Sequence, residues 1–582
     1  MNKVISTVIS FLISGMVITS IIGYPFNIYN SIHTSSIFSV SVISFLIIFI
    51  FIFHQPNKKN KITYIDVCVL FFLAFYIIKN NATNSLWNAG CFILLLLCIS
   101  IKIIGNLKYQ YIYYSTLIAL FILSTWGYLQ FFGLTQSNNI NFQITGPYHN
   151  PGILGGVMSV LLIIILSAAI QLLPKLQKCN KFFYTVIFTI AFSLPVFALT
   201  SARAAWLALI TSISYIYCIN HKQLLSTKKK AIYFFCTICS FALLLGFIYN
   251  IKPLSAHGRI LIWKVSWQMI KDKPINGFGK GGFEANYLYY QAAYLDEKAS
   301  DIDNFVAGNT HIAFNEVIRL TVEHGIIGFL AYTTFILLTF LLPMRNDVIT
   351  NVSKSIIFNI TIWGMFSYPN QIFIIITLFT ITYAILLNRN SNQLKINLVQ
   401  KKSLFKIIQF SLFVIAIPII IYMVNCYNLY CEFHTYRNSL KIEEIARDTK
   451  FIHFKEKMPN DIGMLTLYAH ILHKRKEEDK LLKAINILEN TYPTPSLFIQ
   501  KGDLFQRTQN IIEAEKAYKL AAAMIPTRQK ARYKLALLYH SLGRESEAVY
   551  LAKTLLSEKV KNYGFETYEM HQNLKKIFRE IL

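Results

Sequence analysis

Apolar runs about as long as a bilayer is thick recur along the first 425 residues of this chain, and they decide its class. A helix that crosses a bilayer needs ~20 mostly apolar residues. Candidates lie at 4–22, 36–53, 64–78, 86–104, 111–131, 152–173, 182–199, 204–219, 231–250, 323–342, 355–367, 371–388 and 407–425. The shortest, 355–367, suits a broken or tilted helix. Charged residues make up only 15% of the chain, where soluble domains carry ~25%. The expected fold class is therefore all-α and polytopic, with about thirteen transmembrane helices, rather than the three or four soluble domains that 582 residues would otherwise suggest.

The formal charge of +27 would point to nucleic acid in a soluble chain. Its distribution gives it another meaning. Residues 1–425 hold 30 Lys+Arg and 10 Asp+Glu, and eight of those ten acids fall between Asp272 and Glu323. The loops 54–63, 102–110, 174–181, 220–230, 343–354 and 388–406, with Lys3, hold 20 basic residues; the alternate short loops hold two, Lys79 and Arg203. Basic loops stay in the cytoplasm. This predicts a cytoplasmic N-terminus, with Arg203, a large insert at 251–322 and the tail from 426 on the outer side. No nucleic-acid partner is expected. Residues 1–22 are read as a first span and not a signal peptide, because Gly23-Tyr24-Pro25-Phe26 supplies no small-residue cleavage site.

The nine cysteines are scattered, mostly within apolar segments, and read as small apolar filler. Cys426 and Cys431 could pair only if the helix carrying them breaks. The tail, 426–582, is expected to form a helical domain. It repeats at an offset of 34: Leu504-Phe505 returns as Leu538-Tyr539, and Glu513-Ala514 as Glu547-Ala548. This resembles a tetratricopeptide array, in which helix pairs stack and present a groove to a protein partner; an unrelated stack of helical hairpins is the alternative.

Polar clusters at the expected outer face are where chemistry would sit, because ionisable groups in a membrane are costly. Thr200-Ser201-Ala202-Arg203-Ala204-Ala205-Trp206 forms a tight turn. Arg203 there is either a snorkelling cation or an anion clamp whose fixed fork suits phosphate. Gly258-Arg259-Ile260-Leu261-Ile262-Trp263 opens the insert, on a helix expected to lie at the interface with Trp263 and Trp267 as anchors. Arg259 is a second anion candidate or a surface cation. Pro274 to Phe283 contains G-x-G-x-x-G at Gly277, Gly279 and Gly282. No strand precedes it, so a close-packed turn is the better reading than a dinucleotide site. In Thr310-His311-Ile312-Ala313-Phe314-Asn315-Glu316, a helical reading puts His311 and Asn315 on one face. His311 is a candidate base, or else an interfacial or capping histidine. His324 reads as capping or packing. Thr145 to Gly152 suggests a re-entrant turn, with His149 as a weaker base candidate. Glu316, Asp301 and Asp303 are carboxylates within reach of the same chemistry.

In order, these motifs are G-P-Y-H-N-P, T-S-A-R-A-A-W, G-R-I-L-I-W, P-I-N-G-F-G-K-G-G-F, T-H-I-A-F-N-E and V-E-H-G-I-I-G. Together they resemble the bacterial O-antigen ligase superfamily of ligases, polymerases and O-oligosaccharyltransferases, most strongly over 140–340. The resemblance implies a metal-independent glycosyltransferase of the GT-C type, without a cofactor, in a bacterial inner membrane. It would move a glycan from undecaprenyl diphosphate to an acceptor hydroxyl on lipid A-core or protein, at the periplasmic face. It implies diphosphate contacts for Arg203 and Arg259 and the catalytic base for His311, with Asn315, Glu316 and His149 as supporting residues. Members often read His-x-His-Asn before the Glu; here Phe314 precedes Asn315, and the nearby histidine is His311. An O-antigen polymerase is the alternative within the family. A transporter or flippase, or a non-catalytic scaffold, are the alternatives of another class. No charged pair at mid-membrane is evident from the sequence, which disfavours transport.

Overall fold

The computed structural model describes residues 2–22, 32–55, 62–78, 85–105, 107–172, 181–220, 246, 253–298, 300–341, 344–389, 395–396, 402–439, 442–445, 450–561 and 563–579. They are almost wholly helical. The exception is one antiparallel pair of two-residue strands, Ile62–Thr63 with Lys395–Ile396. Eight described helices are long and apolar enough to cross a membrane: Asn2–Ile22, Thr34–Phe51, Ser85–Ile104, Tyr109–Phe131, Pro151–Ile170, Phe182–Leu199, Glu316–Leu341 and Ser403–Ser439. Three shorter apolar helices, Asp66–Ile77, Arg203–Ile219 and Phe373–Arg389, match further expected spans. The expected span 231–250 lies outside the described residues except for residue 246. The segment expected at 355–367 is the helix Val348–Gly364, whose start is polar. The chain is thus an all-α polytopic membrane protein.

The described residues form two compact units. The first gathers residues 1–248, 314–317 and 330–436. In it, helices Pro151–Leu172, Arg203–Asn220 and Val348–Gly364 pack on one another. Buried polar side chains tie them: Asn359 Nδ2 donates to Ser159 Oγ at 3.0 Å and to Ser212 Oγ at 3.3 Å, and Ser159 Oγ donates to the Ala205 carbonyl at 3.2 Å. Such bonds hold membrane helices together where hydrophobicity cannot. Gly156 faces Trp363 so closely that a Cβ would sit 1.8 Å from its ring. Lys102 and Asp66 form a buried ion pair that the sequence reading overlooked. It joins the last turn of Ser85–Ile104 to the first turn of Tyr64–Ile77, so it sits at the helix ends and not at their middle.

The second unit gathers 249–313, 318–329 and 437–582. The insert contributes helices Pro253–Asp272, Gly282–Lys298 and Asp301–Val306. The tail contributes the antiparallel pairs Ile462–Arg475 with Glu478–Thr491, Pro495–Arg507 with Ile511–Met524, and Gln529–Ser541 with Glu545–Ser557. Small residues let each pair approach: a Cβ on Gly502 would lie 2.5 Å from the Tyr518 ring. The helix Lys402–Ser439 runs unbroken through residue 425. Cys426 and Cys431 on it are free thiols, as an unbroken helix requires.

Candidate active site

His311 lies on a non-helical stretch between Val306 and Glu316. The helical reading of this motif is therefore corrected. Phe314 takes a left-handed backbone with φ 50°, and Asn315 Oδ1 accepts from the Val317 N–H at 2.9 Å, so the next helix starts at Glu316. His311 and Asn315 do not share a helix face. An Asn immediately before a helix is a common start signal, and it was readable in the sequence.

The imidazole of His311 is 8% exposed. Its Nδ1 lies 3.2 Å from the Glu284 carbonyl oxygen. A carbonyl only accepts, so Nδ1 carries the proton and Nε2 holds the lone pair. Nε2 is buried and has no hydrogen-bond partner among the described residues. Burial pushes the imidazole pKa down to about 4, because the charged form loses its hydration; the Glu284 carbonyl opposes this only in part. The ring is thus neutral near pH 7, with an open acceptor.

Arg259 is half-buried on Pro253–Asp272. That helix buries Leu261, Ile262, Val265 and Met269 within the second unit. Of the expected anchors, Trp267 is exposed, whereas Trp263 turns inward and donates Nε1–H to the Ala313 carbonyl at 3.1 Å. Arg259 and Trp263 are one turn apart on one face. Trp263 therefore ties the helix of Arg259 to the stretch that carries His311.

The glycine-rich turn has a structural partner that the sequence did not disclose. Helix Glu316–Leu341 breaks at Gly325, with φ 62° and ψ −155°. The break strips the helical partner from the Val322 carbonyl; it accepts from the Phe278 N–H at 2.9 Å instead, and the neighbouring Glu323 carbonyl accepts from the Gly279 N–H at 2.8 Å. The Ile326 N–H donates to the Pro274 carbonyl at 2.8 Å. A Cβ on Gly325 would meet the Ile275 carbonyl oxygen at 2.0 Å, and one on Gly277 would meet Val322 and Glu323 backbone at 2.5 Å. The turn is spliced into the break, and only glycine lets the two backbones meet. The Glu323 carboxylate adds to this splice, accepting from the Gly281 N–H at 3.2 Å and from Arg319 at 2.7 Å.

Arg203 belongs to the first unit and is 8% exposed. It opens helix Arg203–Asn220 after a three-residue turn from Lys181–Leu199. Ser201 is left-handed with φ 51°, and Thr200 Oγ1 accepts from the Ala202 N–H at 3.3 Å. Gly155 makes room for this turn: a Cβ there would lie 2.3 Å from Ala202 Cβ. A cation at a helix N-terminus adds to the positive end of the macrodipole, which is unfavourable alone and suits an anion.

The other expected residues are placed differently. Asn315 and Glu316 belong to the first unit, and His311 and Arg259 to the second. Glu316 is buried and accepts from the Asn370 N–H at 3.2 Å. His149 is exposed, its carbonyl accepting from Asn139 Nδ2 at 3.2 Å. Its loop is shaped by Gln130, whose Oε1 accepts from Thr145 and Gly146 N–H at 2.9 and 2.7 Å. Asp303 is buried in an ion pair with Lys264, and Asp301 is exposed. An apolar cavity of about 430 Å³ in the first unit is lined by Tyr113, Phe182 and Val352. Phe182 lies near the start of the helix Lys181–Leu199, whereas Arg203 follows the turn after its end, and Arg203 does not line this cavity.

Multiple apolar helices and a set of polar groups held by packed helices and turns define a multi-pass membrane protein. Residues 187–333 match the family model described as O-antigen ligase, so this stretch of the chain is similar to that family. The matched stretch contains Arg203, Arg259, His311, Asn315 and Glu316; His149 and the tail lie outside it. Comparison with curated proteins finds no match.

Proposed function

We propose that the chain transfers a glycan from undecaprenyl diphosphate to an acceptor hydroxyl at the periplasmic face of a bacterial inner membrane, as an O-antigen ligase acting on lipid or protein. The observation that carries this reading is His311: a neutral, buried imidazole whose Nδ1–H is held by the Glu284 carbonyl and whose Nε2 is an open acceptor. In the reaction the acceptor oxygen forms a bond to the anomeric carbon. The bond from that carbon to the diphosphate oxygen breaks, and its electron pair leaves with the lipid diphosphate. The hydroxyl proton passes to His311 Nε2. A positioned base contributes ~10²–10⁴-fold to such a step.

Arg203 and Arg259 take the diphosphate in this reading, on the resemblance and on their own surroundings. Their charge meets the negative charge that develops on the leaving group. No metal is needed for that neutralisation. Negative charge near the imidazole also raises its pKa toward neutrality, so a bound donor strengthens the base. The tail is read as a tetratricopeptide-like array that can engage a protein partner.

The test is deletion of the gene followed by inspection of surface glycans and glycoproteins. Loss of long chains with the core retained identifies a ligase, single-unit chains a polymerase, and bare proteins with normal lipopolysaccharide an oligosaccharyltransferase. Unchanged glycans would favour a transporter or scaffold. Complementation with His311→Ala, Arg203→Ala or Arg259→Ala is expected to fail, each variant reaching the membrane at normal level. Full activity of the His311 variant would remove the base assignment.

A further inference from the structure

His311 is enclosed from two sides within the second unit. From below, the Glu284 carbonyl on helix Gly282–Lys298 holds Nδ1 at 3.2 Å. From above comes a residue 181 positions further along the chain. The ring of Tyr492 stacks on the imidazole, with centroids 3.8 Å apart and planes 22° from parallel.

Tyr492 is well placed to hold that position. It follows Glu478–Thr491 directly, and its N–H donates to the Leu488 carbonyl at 2.7 Å. Pro493 follows it and disfavours the helical region for its backbone, which has φ −153° and ψ 65°. Thr494 then caps the next helix by accepting from the Leu497 N–H at 3.2 Å. The link between two tail helices is thus rigid on both sides. The same helices are fastened to the insert. Tyr289 OH donates to the Glu489 carbonyl at 3.3 Å, and its ring meets Phe498 edge-on. Gln291 Nε2 donates to both Gly308 and Met524 carbonyls, at 3.1 and 2.7 Å, joining the His311 stretch, the insert helix and the tail through one amide.

We propose that Tyr492 is a positioning residue of the transfer site: the tail supplies the aromatic face that fixes the plane of the His311 ring and so fixes where its buried, unpaired Nε2 points. The proposal rests on the base reading of His311. The stacked ring acts in two ways. It hinders the imidazole from turning about its Cβ–Cγ bond, which would put Cδ2 where Nδ1 lies and break the bond to Glu284. It also excludes water from one face of the ring. The Tyr492 ring is the titratable group stacked on the imidazole, and the Glu284 carboxylate acts on its phenol, while the Glu284 backbone carbonyl contacts the imidazole itself.

The full-length protein in native membranes, carrying Tyr492→Phe, Tyr492→Leu or Tyr492→Ala, tests this with two measurements. One is glycan transfer across pH 4 to 8. The other is the rate at which diethyl pyrocarbonate modifies His311, followed by mass spectrometry, which needs no catalysis. Tyr492→Phe is expected to match the parent in both. Tyr492→Leu keeps an apolar cover without a flat ring, and Tyr492→Ala removes it. Both are expected to lose at least ~10-fold in transfer. Their acidic limb should move upward in pH, toward the ordinary histidine value, as water reaches the ring, and His311 should be modified faster. Parent-like transfer, pH profile and modification in Tyr492→Leu and Tyr492→Ala would overturn the proposal. So would a Tyr492→Phe variant as impaired as Tyr492→Ala, because the ring face would not then be the operating contact. Activity retained by His311→Ala would overturn the base reading instead, and the modification rates would still report whether Tyr492 covers the ring.

Discussion

At the scale of single residues, burial and one carbonyl define the state of His311. Its pKa is held down to about 4, against 6.5 in an unfolded chain. Between those values the unfolded chain binds a proton that the folded chain does not. Folding stability from this group is therefore complete above pH 6.5 and falls as pH drops toward 4, by up to ~3 kcal/mol. Thermal unfolding of the parent and of His311→Phe should diverge in that window, the parent losing more on acidification; parallel curves would show that the imidazole is solvated. The residue-level sequence reading had mixed success for a physical reason. Arg203, Arg259 and His311 stood out because their types are costly in a membrane setting. Glu284 and Tyr492 did not, since one contributes only a backbone carbonyl and the other a ring whose partner is 181 residues away.

At the scale of elements, the helices were legible and their interruptions were not. Hydropathy marks an apolar run directly, so eleven expected spans meet apolar helices among the described residues. The helical reading of Thr310 to Glu316 failed because local spacing cannot reveal a left-handed Phe314. The glycines of 274–283 could be read as a close-packed turn, but their partner at Val322–Ile326 could not, because backbone bonds between distant segments leave no side-chain signature. This splice makes a sharp prediction. Gly325→Ala places a Cβ within 2.0 Å of the Ile275 carbonyl oxygen, in a backbone region that side chains avoid. The cost should be at least ~3 kcal/mol. The variant is expected to unfold at lower temperature and to lose transfer, whereas Gly133→Ala, equally left-handed but with nothing within 4 Å, should lose less stability and keep transfer. Equal losses in the two would show that backbone strain alone, and not the splice, is at work.

At the scale of the molecule, the division of the chain differs from the order in which it is written. The sequence suggests an insert at 251–322 within a membrane domain, followed by a separate tail from 426. In the structure, insert and tail residues share one compact unit. The insert helix Gly282–Lys298 buries Tyr287, Leu288, Gln291 and Leu295 within this unit, and Gln291 and Tyr289 bond tail carbonyls directly. Removing the tail would leave the Gln291 amide without one of its acceptors, which costs ~1–3 kcal/mol for a buried group. It would also uncover the Tyr289 ring, which Phe498 meets edge-on. A tail that only recruits a partner should be dispensable for chemistry on a small acceptor. A tail that completes the unit around His311 should not be. Truncation after residue 436 is accordingly expected to abolish transfer to any acceptor and to make the insert sensitive to protease at 282–313. Supplying residues 437–582 as a separate chain in the same compartment should restore part of both. A truncated chain that transfers glycan at the parental rate, with its insert still protected, would return the tail to the role of a recruiting module.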